Sequence, residues 1–177
     1  IFFRLVPCFR MADIAYLPHT WVYWKTNWKK AERTIARCHE VNTPRGFWDC
    51  FWNHHPSTLE NKEYIHIFKE GIMPMWEDTA NAKGGEIKVT CLPGPESEEL
   101  WQAVARAIVC DRSRLYQQFS KDITGFSMVR HSGPVGNDII KLWLRSGDHT
   151  LDAKLFVEKI LYATGYQVVK MTYVPHK

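Results

Sequence analysis

The chain is short of paired cysteine. Its five cysteines, Cys8, Cys38, Cys50, Cys91 and Cys110, are odd in number and far apart, and none forms a CxxC pair. That pattern argues against a disulfide framework and a zinc ribbon, and for a reducing compartment. No apolar run approaches the roughly 20 residues that a membrane-spanning helix needs. The opening IFFRLVPCFR is interrupted by Arg4, Pro7 and Arg10 and makes a poor secretory signal. A cytoplasmic, or cytoplasmic and nuclear, protein is expected. Walker-type glycine loops, nucleophile elbows and HExxH motifs are also missing. So are internal repeats, low-complexity tracts and interdomain linkers, and the expected organisation is a poorly ordered arm over 1–18 before one domain over 19–177.

Aromatic residues, by contrast, are plentiful. Among 177 residues there are 8 Trp, 7 Tyr and 9 Phe, more than a core of this size ordinarily uses, so some rings are available for a ligand. An apolar fraction of 45% and a charged fraction of 24% belong to a folded chain. The formal net charge of +4 permits a polyanionic partner.

Periodicity predicts strands at His19–Trp24, Tyr64–Phe68, Glu86–Leu92, Ile123–Arg130, Asp138–Arg145 and Gln167–Tyr173. Glu32–Val41 fits strand or helix and is read as a strand. Lys25-Thr26-Asn27 reads as a polar loop delivering Trp28. Thr43 followed by Pro44 starts a helix over about Pro44–His54, with Phe47, Phe51, Trp48 and Trp52 at i, i+4 spacing. Further helices are expected over about Glu96–Cys110 and Leu151–Thr164, the last capped by Thr150, stopped by Gly165 and striped by Leu155, Phe156, Ile160 and Leu161. Strands with one apolar face, interleaved with three amphipathic helices, describe an α+β domain. The helices bury one face of an antiparallel sheet and leave the other face open. That open face collects Lys88, Thr90, Lys141, Trp143 and Arg145, a basic and aromatic platform.

The most informative stretch is FKEGIMPMWEDTANAKGG at 68–85. Gly71 supplies a backbone angle that other residues avoid, Pro74 fixes its own φ, and Gly84-Gly85 closes the loop. A held loop presenting Trp76 beside Glu77 suits a flat base with N–H donors on its edge. A Trp that plugs the core fits the same residues. Glu77 has no nucleophile or metal partner nearby, and the pair His54-His55 reads as a helix C-terminal cap rather than a metal site. Neither an enzyme nor a cofactor is expected.

WVYWKTNW at 21–28, GFWDCFW at 46–52 and, above all, the stretch at 68–85 resemble the cap-binding translation initiation factor 4E family. The likeness extends over about Trp21–Tyr173 through helix order, Trp101, and the Arg130 and Trp143 strands. It implies a curved antiparallel sheet with three helices on its convex back and, on the open concave side, a 7-methylguanine slot in which Trp28 and Trp76 sandwich the base and Glu77 pairs with its Watson–Crick edge. Trp143 matches the Trp near the methyl group, and Arg130 matches a phosphate-binding Arg. The family's phosphate-binding Lys, four residues before that Trp, is Ile139 here, and Lys141 shares its strand parity and substitutes. The Arg after the family's glycine pair is Glu86, which repels phosphate, with Lys88 two residues on to compensate.

The resemblance also implies a dorsal surface for a helical Tyr-x-x-x-x-Leu peptide of a scaffold or repressor. Trp48 matches its Trp, whereas Ala103 stands at its acidic position and Pro44 at its Val. The expected activity is binding of the 7-methylguanosine cap of messenger RNA, in translation initiation or its regulation. Two other readings stay open: an interaction module of this fold with a weakened cap slot, and a general single-strand RNA binder.

Overall fold

Alternation decides much of the architecture, because residues two apart on a strand share a face and the strands turn an apolar set towards one common core. The computed structural model describes residues 16–29, 32–110, 114–131 and 136–176, with the side chains of 28, 29, 32, 114 and 115 outside that description. Strands β1 (Trp21–Lys29), β2 (Glu32–Val41), β3 (Tyr64–Lys69), β4 (Gly85–Cys91), β5 (Ile123–Val129), β6 (Asp138–Leu144) and β7 (Lys170–Pro175) form one sheet, ordered β2-β1-β3-β5-β6-β4-β7. Every pairing is antiparallel and the sheet is curved and open. Helices α1 (Pro44–Asn53), α2 (Pro95–Cys110), α3 (Arg114–Phe119) and α4 (Thr150–Thr164) supply the other layer.

The expected fold class is borne out, with one helix more than the three expected. The six-residue α3 is too short to show a helical period in sequence, and it is held by Tyr116 and Phe119 packing on Phe156 of α4. The expected loop Lys25-Thr26-Asn27 is instead the middle of β1, paired with Thr34–Ala36 of β2 and partly with Tyr64–Ile65 of β3. Partners on both sides override the weak strand preference of these polar residues.

The main core lies between the helices and one sheet face. Trp21, Tyr23, Ile65, Ile67, Ile87, Val89, Phe126, Met128, Ile140, Leu142 and Leu144 enter it from the strands. Phe47 and Phe51 enter from α1, and Leu100, Trp101, Val104 and Ile108 from α2. Thr43 caps α1 as expected, its hydroxyl accepting from Gly46 N at 3.1 Å. The four-aromatic face of α1 is only half buried, because Trp52 is exposed and stacks on His55. In α4 the buried stripe is Ala153, Phe156, Val157 and Ile160, while Leu155 faces outward. The N-cap is His149 rather than Thr150, whose hydroxyl donates to Gly147 O, and Gly165 stops the helix at φ 74°. Of the arm expected over 1–18, residues 1–15 lie outside the described ones, and Leu17 packs in the core.

A second, smaller cluster sits on the opposite face: Phe68, Ile72 and Trp143, with Trp24 and Ala80 against them. Gly125 of β5 makes room for it, since a Cβ there would lie 2.4 Å from the Phe68 ring. Gly125→Ala is therefore expected to destabilise the fold by about 1–3 kcal/mol through overpacking. Urea unfolding reads the effect, and adding Phe68→Leu should return part of the loss. An undisturbed Gly125→Ala protein would contradict the contact.

Candidate ligand site on the concave face

Beside that small cluster the open face holds a cavity of about 390 Å³, within the roughly 300–1,000 Å³ typical of small-molecule sites. Its floor comes from strand positions that point away from the core: Tyr64 and His66 of β3, Lys141 and Trp143 of β6, and Glu86 of β4. Arg33 of β2, Met75 and Trp76 of the loop after β3, and Pro175 and His176 at the end of β7 complete it. The wall is aromatic. Tyr64 and His66 stack at 5.5 Å and 7°, and Trp143 packs on His176 at 4.9 Å.

A chain of hydrogen bonds anchors this floor. Trp143 Nε1 donates to Ser127 Oγ at 3.1 Å, Ser127 Oγ contacts His66 Nδ1 at 2.8 Å, and His66 Nε2 contacts Thr26 Oγ1 at 2.9 Å. The indole N–H donates to Ser127, and each imidazole nitrogen meets one hydroxyl, so the neutral ring donates to one of Ser127 and Thr26 and accepts from the other. This arrangement satisfies all three links. Burial, with Lys141 and Arg33 nearby, lowers the His66 pKa to about 3, so the imidazole is neutral. With both nitrogens occupied it offers no general base. Among the described residues no three metal-ligating side chains converge.

Trp76 is held by its loop. Gly71 takes φ 79°, the Asp78 carboxylate accepts from Met73 N and Ala80 N at 2.8 Å each, and buried Asn81 donates to Met73 O and Met75 O at 2.9 Å each. These bonds fix the backbone on both sides of Trp76, a residue that remains 49% exposed and lines the cavity. Trp76 therefore does not plug the core. Glu77 is exposed on the same loop, next to the cavity-lining Trp76.

The cations are distributed otherwise than expected. Lys141 reaches the cavity, 5.8 Å from the Tyr64 ring and 5.9 Å from Trp143, and donates to Glu86 Oε1 at 3.1 Å. Burial pushes its ammonium below the usual lysine range, against the pull of Glu86. Lys88 meets the same oxygen at 2.8 Å. Arg130 is not brought into the cavity. It continues the parity of Phe126 and Met128, so its guanidinium turns to the helix side and binds Glu98 at 2.9 Å and Asp138 at 3.3 Å. Burial opposes that charge, but the hydrogen bonds to Glu98 and Asp138 outweigh it and raise the pKa.

Trp28 lies on β1 in register with the cavity-lining Arg33, and its side chain is outside the described residues. Trp48 is half-buried on α1 and packs against the helix-side core, with Arg106 5.9 Å from its ring. Sequence reading brought Trp76, Trp143 and Lys141 to one place, as the structure does, and missed Tyr64, His66, Arg33 and His176. The alternation YIHIF, with Ile65 and Ile67 inward, already put Tyr64 and His66 on the outer face. Nothing local marks His176, which is placed by its bonds to Gly84 O and Asn81 O.

The family model described as "Eukaryotic initiation factor 4E" matches residues 16–177. A Capsicum annuum "eukaryotic translation initiation factor isoform 4E" is 30% identical over 156 residues, covering 80% of this chain and 72% of that protein. A Triticum aestivum "eukaryotic translation initiation factor NCBP" is 30% identical over 120 residues, covering 67% of this chain and 48% of its own length. The chain thus spans about half the length of several curated relatives it matches. Among solved structures, Ascaris suum eIF4E-3 with an m7G cap aligns at a TM-score of 0.78 and 21% identity, over 92% of this chain and 91% of that one. A schistosome eIF4E complexed with m7GpppG and 4E-BP aligns at 0.77 and 19% identity, over 90% and 87%.

The neutral buried His66 makes stability depend on pH. Unfolded, its imidazole titrates near 6.5, and folded near 3, so below about pH 6.5 the unfolded chain binds the extra proton. Stability then falls with falling pH. His66 should contribute a loss of about 2 kcal/mol between pH 7 and pH 5. Urea midpoints at the two pH values measure it, and His66→Gln should remove that part of the slope. An equal slope in both proteins would assign it to another group.

Proposed function

The chain belongs to the eukaryotic initiation factor 4E family, and from that membership and its concave cavity we propose that it binds the 7-methylguanosine cap at the 5′ end of messenger RNA without catalysing a reaction. One observation carries the reading: Trp76 is held by a hydrogen-bonded loop over a cavity floored by Trp143, Tyr64 and His66. Methylation leaves a positive charge on guanine's flat ring, and an indole face attracts such a charge by roughly 0.5–2 kcal/mol. In this reading Trp28 and Trp76 sandwich the base, and Trp143 packs beside its methyl group. Glu77 accepts from the two parallel N–H donors of the guanine edge, which adenine lacks. Lys141 and Arg33 are the cavity cations available to phosphate, and Arg130 is not assigned that role.

The protein would then act in translation initiation or its regulation, in the cytoplasm or in both cytoplasm and nucleus. The surface around Trp48 is the proposed seat of a scaffold or repressor with a helical Tyr-x-x-x-x-Leu peptide, a class consistent with the 4E-BP and Mextli complexes of the structural relatives. A second reading, an interaction module with a weakened cap slot, draws on Arg130 and Lys141 both being held by internal carboxylates.

Tryptophan-fluorescence titration separates the two. 7-methyl-GTP should bind about ten- to a thousandfold more tightly than GTP. Trp76→Ala and Trp28→Ala should each weaken that binding by about ten- to a hundredfold, and Glu77→Ala should narrow the preference for guanine over adenine. Weak and equal responses to 7-methyl-GTP and GTP would sink the cap reading and leave the interaction module.

A further inference from the structure

Glu86 sits where a carboxylate is costly. Its side chain is only 7% exposed, it stands opposite Trp143 in the β4–β6 register, and it lines the cavity. One oxygen does double duty: Oε1 lies 2.8 Å from Lys88 Nζ and 3.1 Å from Lys141 Nζ. The other, Oε2, is buried with no hydrogen-bond partner among the described residues. Lys88 and Lys141 face each other across the strand pair, and Glu86 is the diagonal neighbour of Lys141. Two ammonium groups that would otherwise repel are thus joined through one carboxylate, leaving the trio with one positive charge rather than two. The contact is sheltered, with Lys141 side-chain exposure at 16%, so water and salt screen it less than a surface pair.

We propose that Glu86 sets the ligand preference of this cavity, directing it towards a positively charged base and away from reliance on the phosphate chain. This rests on the cap-binding reading above and narrows it. A phosphate approaching Lys141 must compete with Glu86 Oε1 for the ammonium and also meets the carboxylate's own charge. A cationic ring over the same floor meets that carboxylate as an attraction. The negative charge therefore acts in opposite directions on the two ends of a methylated nucleotide. A purely structural ion pair would alter the affinities for nucleoside and nucleotide alike, so their ratio is the discriminating quantity.

The experiment compares 7-methyl-GTP with 7-methylguanosine by fluorescence titration, in the wild-type chain and in Glu86→Gln, which keeps the shape and removes the charge. In the wild type the triphosphate should improve affinity by less than about tenfold. In Glu86→Gln the ratio should widen by about tenfold or more, and the 7-methyl-GTP affinity should become more sensitive to salt. The gain should vanish in the Glu86→Gln/Lys141→Met double variant, which guards against a general loosening of the site. Circular dichroism confirms that each variant is folded, and Lys88→Met tests the same ratio should Glu86→Gln fail to fold. Removing one of the two cations that Glu86 holds should leave the wild-type ratio small. An unchanged ratio and salt response in folded Glu86→Gln would overturn the role given to Glu86 while leaving cap binding intact. So would a hundredfold triphosphate gain already present in the wild type. Failure of the wild type to bind either methylated compound would instead refute the cap reading, and this inference with it.

Discussion

Trp143 is buried on the side of the sheet that carries no helix, and that burial constrains everything around it. An indole there needs apolar neighbours and an acceptor for its N–H. Phe68 packs on it in a T-shaped contact at 5.3 Å, His176 packs at a tilt at 4.9 Å, and Ser127 is the acceptor. Each answer makes a further demand. Phe68 requires the absent side chain at Gly125, and the Ser127 hydroxyl is held in turn by His66 Nδ1. His66 stays neutral, and its other ring nitrogen meets the Thr26 hydroxyl. The floor of the cavity is therefore a connected structure spanning β1, β3, β5 and β6, not four independent side chains.

The same economy governs charge. Arg130 and Lys141 are both partly buried, and each lies against an acid that the chain itself provides. Such pairs offset the cost of removing charges from water, but they also occupy the groups that would otherwise be available to an anion. Arg130 is satisfied on the helix side by Glu98 and Asp138, where it ties the start of α2 to the β5–β6 edge. Lys141 is satisfied within the cavity, where its partner remains next to any ligand. A guanidinium locked into the scaffold and an ammonium shared with a cavity carboxylate are different devices, although the two residues belong to neighbouring strands of one sheet.

Much of this was legible from local pattern. The alternations in YIHIF, EIKVTCL and DIIKLWLR placed the apolar faces correctly, because a period of two leaves no choice once one side is buried. Thr43-Pro44 and Gly165 marked helix ends through backbone chemistry that acts within a few residues. Legibility failed where the deciding partner is distant. Lys25-Thr26-Asn27 looks like a loop until two neighbouring strands bond to it, and α3 is a helix because Phe156 is there to receive it. Arg130 was misplaced for a simpler reason: its parity follows Met128, not Lys141, and a strand turns a side chain through the sheet with a step of one residue.

By itself, the sequence determined the two-faced strands, the helix boundaries set by local capping, the aromatic loop at 68–85 and the family to which these belong. Those features depend on interactions within a few residues of chain. Tertiary structure alone decided that Tyr64, His66 and His176 share a cavity with Trp76, that Ser127 joins Trp143 to His66, and that Glu86 occupies both Lys88 and Lys141. The reason is geometric. Charge and hydrogen bonding act between atoms a few ångströms apart, and only the pairing of strands far apart in the chain brings those atoms within reach.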